Sequence, residues 1–60
     1  MKIYSVVYNE VKDGVAGNAL TIPIILDVTP TDDVVIQAIR EQAKDEPKGE
    51  LNIISLVLIS

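Results

Sequence analysis

The carboxylates of this 60-residue chain include two adjacent pairs, Asp32-Asp33 and Asp45-Glu46. Acid–base catalysis by two carboxyls needs them across a cleft in unlike environments, so that one keeps its proton while the other loses it. Neighbours at the ends of a helix do not supply that. They complement the helix dipole or solvate a turn. Asp27, Asp32 and Asp33, with Thr29 and Thr31, form a further oxygen-rich cluster. It lacks the spaced loop and distal bidentate glutamate with which an EF-hand holds Ca²⁺, and helix capping explains the same residues. Ser5, Ser55 and Ser60 have no histidine to activate them, because the chain contains none, and no elbow motif surrounds any of them. Cysteine is absent as well, so neither a disulfide nor a thiolate site can form. Gly14 and Gly17 fall between two strand-like segments. A phosphate-binding loop would instead join a strand to a helix. We therefore expect no catalytic residue, no metal site and no cofactor, while noting that Asp, Lys and Tyr can catalyse without a motif.

Tyr4 and Tyr8 are the only aromatics. Two tyrosines on one sheet face can stack single-stranded bases. A net charge of −4 and a pI near 4.4 oppose that use, and the five basic residues are scattered. Cross-strand packing and a protein interface are the competing roles for the pair. Acidity otherwise favours solubility or a partner with a basic surface.

The elements that must position these residues follow from punctuation at Asp13-Gly14, Gly17-Asn18, Thr29-Pro30 and Pro47-Lys48-Gly49. Lys2 to Lys12 reads as a strand, with Ile3, Ser5, Val7 and Val11 on one face and Tyr4, Val6, Tyr8 and Glu10 on the other. A second strand carries Leu20, Ile22, Ile24, Leu26 and Val28 on its apolar face. Asp13-Gly14 suits a type I′ hairpin turn, which pairs Lys12 with Val15. Counting back sets Val7 opposite Leu20, Ser5 opposite Ile22, Ile3 opposite Ile24 and Met1 opposite Leu26, unless Gly17 hosts a bulge. Pro23 cannot donate to a ladder, so the second strand is an edge. Next comes a helix capped at Thr29 with Pro30 at its first position, or capped at Thr31. Its apolar face is Val34, Val35, Ala38, Ile39 and Ala43, with Ile36 at the margin, and Asp45-Glu46 precedes Pro47, which stops it. Leu51 to Ile59 is a last strand, apolar on both faces. Leu51, Ile53, Val57 and Ile59 point one way and Ile54, Leu56 and Leu58 the other, and either set could face the helix.

A tight hairpin followed by a crossover helix gives one α+β domain over residues 1–60. Its expected form is a two-layer ββαβ unit with one helix on a three-stranded antiparallel sheet, in order second–first–last. Met1-Lys2-Ile3-Tyr4, the strand ending Leu26-Asp27-Val28, and Thr29-Pro30-Thr31-Asp32-Asp33 leading into a helix resemble the opening half of a ubiquitin-like β-grasp protein. The resemblance covers roughly residues 1 to 44 and implies a scaffold that usually binds other proteins. It ends there: one strand follows the helix, and Leu58-Ile59-Ser60 is no diglycine tail, so conjugation to targets is not expected.

Sixty residues bury only about 60% of the surface their unfolded chain exposes. Without a disulfide or a metal, oligomerisation or unusually apolar packing must make up the difference. The composition suits both, at 48% hydrophobic residues and a mean hydropathy of +0.33. We expect a small non-enzymatic protein-interaction module that forms a homo-oligomer, such as an accessory or inhibitor protein of a mobile element. Its expected interface is Tyr4, Val6, Tyr8 and Ile25 on the uncovered sheet face, with Ile54, Leu56, Val57 and Leu58 of the last strand. A competing expectation is an oligomer that sequesters a metabolite or nucleotide between subunits, and acidic mimicry of DNA is a third. No signal peptide is visible and no apolar run is long enough to span a bilayer, so the expected location is the cytoplasm.

Overall fold

Strand β1 (Lys2–Lys12) has the bounds read from the sequence, and every other strand pairs with it. The computed structural model describes all 60 residues. After β1 come β2 (Val15–Ala16), β3 (Leu20–Leu26), helix α1 (Asp32–Gln42) and β4 (Glu50–Leu58). All pairings are antiparallel. β3 and β4 both pair with Tyr4 to Tyr8 and so flank β1 on opposite sides; β2 lies on the β3 side. The expected order of the three long strands holds. The sheet has four strands rather than three, because the second strand is divided into β2 and β3.

The hairpin turn is of the expected kind. Asp13 has φ 52° and Gly14 φ 77°, the two positive values a type I′ turn requires. Lys12 faces Val15 and Val11 faces Ala16. The next pair is Tyr8 with Leu20, so Gly17, Asn18 and Ala19 stand against only Asn9 and Glu10. Gly17 donates its N–H to Glu10 O at 2.8 Å, and a Cβ at Gly17 would lie 3.2 Å from that oxygen. This one extra residue reverses the expected pairing. Lys2, Tyr4, Val6 and Tyr8 oppose Leu26, Ile24, Ile22 and Leu20, in place of Met1, Ile3, Ser5 and Val7.

Opposed residues share a face, so Tyr4, Val6 and Tyr8 lie beneath the helix instead of on the open face. All three are buried, Val6 completely. With Ile24, Leu26, Val35, Ala38, Ile39 and Leu51 they form the core. The physical reason is visible in the two candidate faces. The alternative face of β1 carries Ser5 and Asn9, whereas this one supplies two aromatic rings and a valine.

Helix α1 is capped by Thr31, whose hydroxyl accepts the N–H of Val34 at 3.3 Å; Thr29 is not the cap. Asp32 and Asp33 occupy the first turn, where the dipole favours them. The apolar face is the expected one: Val35, Ala38 and Ile39 are buried, and Val34, Ile36 and Ala43 are half-buried against them. The helix stops at Gln42, well before Pro47. Ala43 turns extended (ψ 147°) while its N–H still reaches Ile39 O.

β4 carries a second irregularity. Val7 faces Ser55 but Tyr8 faces Ile53, leaving Ile54 as a bulge. The bulge splits both expected sets of side chains. Leu51 and Ile53 before it, and Leu56 and Leu58 after it, all share the helix-side face with Glu10, Tyr8, Val6 and Tyr4. β3 ends at Leu26, so Val28 is loop and exposed.

Val6 and Val7 are adjacent and chemically identical, yet opposite in environment. Val6→Ala should destabilise the protein by about 2–3 kcal/mol, two buried methyls plus the cavity they leave. Val7→Ala, on the open face, should cost well under half of that. Urea denaturation of the two variants checks the register: the reverse order of effects would restore the pairing expected from the sequence.

Candidate interaction surface

The two outer edges of the sheet are treated differently. On β3, Pro23 has no N–H to offer outward. At Ile25 the Gln42 side chain takes the place of a neighbouring strand: Ile25 donates its N–H to Gln42 Oε1 at 2.8 Å, and Gln42 Nε2 donates to Ile25 O at 3.0 Å. Pro23 and the end of the helix thus blunt the β3 edge at two successive outward-facing positions, the first by lacking an N–H and the second by the Gln42 side chain.

The β4 edge has no such cover. Antiparallel ladders alternate the direction of their polar groups. Ile25 points away from β1, so its partner Ile3 points toward β4, where Ile3 N donates to Ser60 O and Ile59 N donates to Ile3 O. By the same alternation Val57 and Ser55 bond inward to Ser5 and Val7. Leu56 and Leu58 therefore direct their N–H and C=O groups outward, into open solvent. No charged residue follows Glu50, and no proline or lysine guards the strand.

The helix lies more over β3 than over β4. Leu58, although on the helix side, is therefore 53% exposed, and Ile53 and Leu56 are only half-buried. Ile54, Val57 and Ile59 are each more than half exposed. Of the expected interface residues, Ile54, Leu56, Val57 and Leu58 thus cluster on one accessible strand. Ile25 lies across the sheet, exposed on the open face but tied at its backbone to Gln42. Tyr4, Val6 and Tyr8 are core residues and not part of any surface. The open face is formed by Ile3, Val7, Val11, Pro23, Ile25 and Val57, interrupted by Ser5, Asn9, Thr21, Asn52 and Ser55, with Glu50 at its end beside Val11. On that face Asn9 Oδ1 is a buried acceptor without a partner.

Two charged side chains serve the frame. Arg40 donates to the carbonyls of Pro47 and, at 3.0 Å, Gly49. The Glu10 carboxylate accepts the N–H groups of Lys48 and Gly49. Together they fasten the loop that returns the chain from helix to β4. No local spacing signals these two bonding roles, because their partners are backbone atoms of a loop beyond the helix. Asp32, Asp33, Asp45 and Glu46 are exposed, and no three carboxylates converge to hold a metal ion. The largest cleft, about 460 Å³, opens beside Tyr4 at the end where the N-terminal amine meets Asp27 at 3.3 Å. No helix is long and apolar enough to cross a membrane.

This arrangement defines a small α+β domain with one closed and one open sheet edge. No family model matches the chain, and no curated protein or solved structure shows significant similarity to it.

Two outcomes check these assignments. Gln42→Ala should lower hydrogen-exchange protection of the Ile25 amide by roughly fivefold, the loss of about 1 kcal/mol of hydrogen bonding, while the Ile24 amide, bonded to β1, keeps its protection. Gly49→Ala should cost about 1–3 kcal/mol in chemical denaturation, since its Cβ would lie 2.7 Å from Val11 O.

Proposed function

We propose that the protein is a non-enzymatic interaction module whose docking surface is β4 together with the adjoining open sheet face. The observation that carries this is the concentration of uncovered apolar side chains on an unguarded edge strand: Ile54, Val57 and Leu58 are each more than half exposed. Contiguous apolar surface of this kind on a small domain marks a place where another macromolecule sits. The ββα portion is compatible with a β-grasp-like scaffold, and such scaffolds commonly bind proteins. A small acidic domain without catalytic machinery suits an accessory or inhibitor role, acting by occupying a partner.

A second reading rests on the cleft beside Tyr4, whose size is within the usual range for small ligands, roughly 300–1,000 Å³. In it, an oligomer would sequester a metabolite or nucleotide. The cleft lies at the β1 start and does not use β4, so the two readings separate cleanly.

Affinity capture from the native host, with wild-type protein beside Val57→Lys and Ile54→Lys, tests the first reading. One protein should be retained by the wild type and lost by at least tenfold with either variant, as expected when a charge enters an apolar contact. Capture that survives both substitutions with the fold intact would move the surface elsewhere. A thermal shift with a metabolite, insensitive to both variants, would favour the second reading.

A further inference from the structure

We infer that the occupant of the β4 edge is the β4 edge of a second copy, paired antiparallel about Val57 so that the two sheets become one. The inference rests on the interaction reading above and names its partner.

Hydrogen-bond geometry comes first. Leu56 and Leu58 present outward N–H and C=O groups, and another strand edge satisfies a row of them with the same spacing. The protein has two edges to offer. The β3 edge lacks an N–H at Pro23 and has both polar groups of Ile25 taken by Gln42, so it offers β4 of a neighbour no continuous row of partners. A β4-to-β3 contact would propagate head to tail into a filament; a β4-to-β4 contact closes on a two-fold axis and stops at two copies. The closed edge therefore selects the dimer.

Side-chain complementarity comes second. Pairing about Val57 sets Leu56 opposite the partner's Leu58 and Val57 opposite the partner's Val57. Such a two-fold axis keeps both helices on one side of the joined sheet. Each helix sits toward its own β3, which leaves the strip above β4 uncovered. In the dimer, Leu56 and Leu58 of both copies meet in that strip and cover one another. This accounts for a leucine on the core side being 53% exposed in the single chain.

Charge and area come third. Each copy carries −4, and like charges at the junction would oppose assembly. The paired segment, residues 54 to 60, contains no charged side chain, and Glu50 lies outside it. The accessible surface of the single chain is 4173 Å², against about 3,800 Å² for a folded monomer of this mass. A stable interface covers about 800 Å² per partner, about a fifth of that surface. The strip of Ile54, Leu56, Val57, Leu58 and Ile59 runs along the whole junction.

Sedimentation equilibrium of the full chain at micromolar concentration should give about 13 kDa, twice 6.5 kDa. Leu56→Pro and Leu58→Pro remove only outward N–H groups, and either should give a monomer that retains its dispersed amide spectrum. Hydrogen exchange reads the same bonds without a substitution: the Leu56 and Leu58 amides should gain at least tenfold protection between dilute and concentrated samples. A monomer throughout, a dimer in which those two amides stay unprotected, or a dimer that survives both proline variants in folded form would each overturn the inference. A wild-type monomer that still captures a host protein through Val57 would leave the interaction reading standing and remove only the self-pairing.

Discussion

One extra residue between Ala16 and Leu20 sets the face on which the whole core is built. Because Gly17, Asn18 and Ala19 stand against Asn9 and Glu10, β3 joins β1 with Tyr8 beside Leu20 and Tyr4 beside Ile24. Side chains alternate with a period of two, so a one-residue slip exchanges every inward side chain for an outward one. The bulge therefore decides that two tyrosines and Val6 are buried. Everything downstream follows this choice: which face α1 covers, which side of β4 becomes half-covered, and where Glu10 points. Glu10 lies on the same face as Tyr8, and from there its carboxylate reaches the amides of Lys48 and Gly49.

The second bulge, at Ile54, solves a related problem in β4. A strictly alternating strand would give the helix either Leu51 and Ile53 or Leu56 and Leu58. Inserting Ile54 lets all four share one face. The cost is an isoleucine with more than half its surface in water. Bulges also re-aim a strand, so the straight part of the open edge is the segment after Ile54. The helix end meanwhile is spent on the opposite edge, where Gln42 completes the ladder at Ile25. One helix of eleven residues serves two functions, cover for the core and cap for β3, and β4 is left with neither in full.

Much of this was legible in the residues. Alternation fixed β1 residue for residue, Asp13-Gly14 named the turn and its first pair, Pro23 identified the edge strand, and the 3.6-residue spacing gave the buried face of α1. The register was not legible from the hairpin signal alone, because a turn fixes only its nearest pairs and a glycine three residues on can absorb an extra residue. A clue was present in composition: only one face of β1 combines two aromatics with valine, and burying Ser5 and Asn9 instead would have left polar groups to satisfy. Ile53-Ile54, two adjacent large aliphatics, marked the break in β4 without showing its direction. The helix end was misplaced for a similar reason. Gln42 and Arg40 take backbone partners distant in sequence, and no local spacing encodes those bonds.

The accessible part of the expected surface consequently differs from the whole. Tyr4, Val6 and Tyr8 went to the core, which strengthens the case for β4 by subtraction. With the tyrosines of β1 buried, the open face is a mixture of aliphatic and polar residues, while the uncovered leucines, isoleucine and valine of β4 gather along one edge. That edge is also where the domain has stability still to gain. Its core is nine side chains, and no cross-link supplements it. A partner on β4 that binds only the folded chain stabilises it by mass action. Binding and folding would then draw on the same surface, since occupation of the edge would complete the burial of Leu56 and Leu58. Docking at β4 would thereby complete a layer that one short helix cannot cover alone.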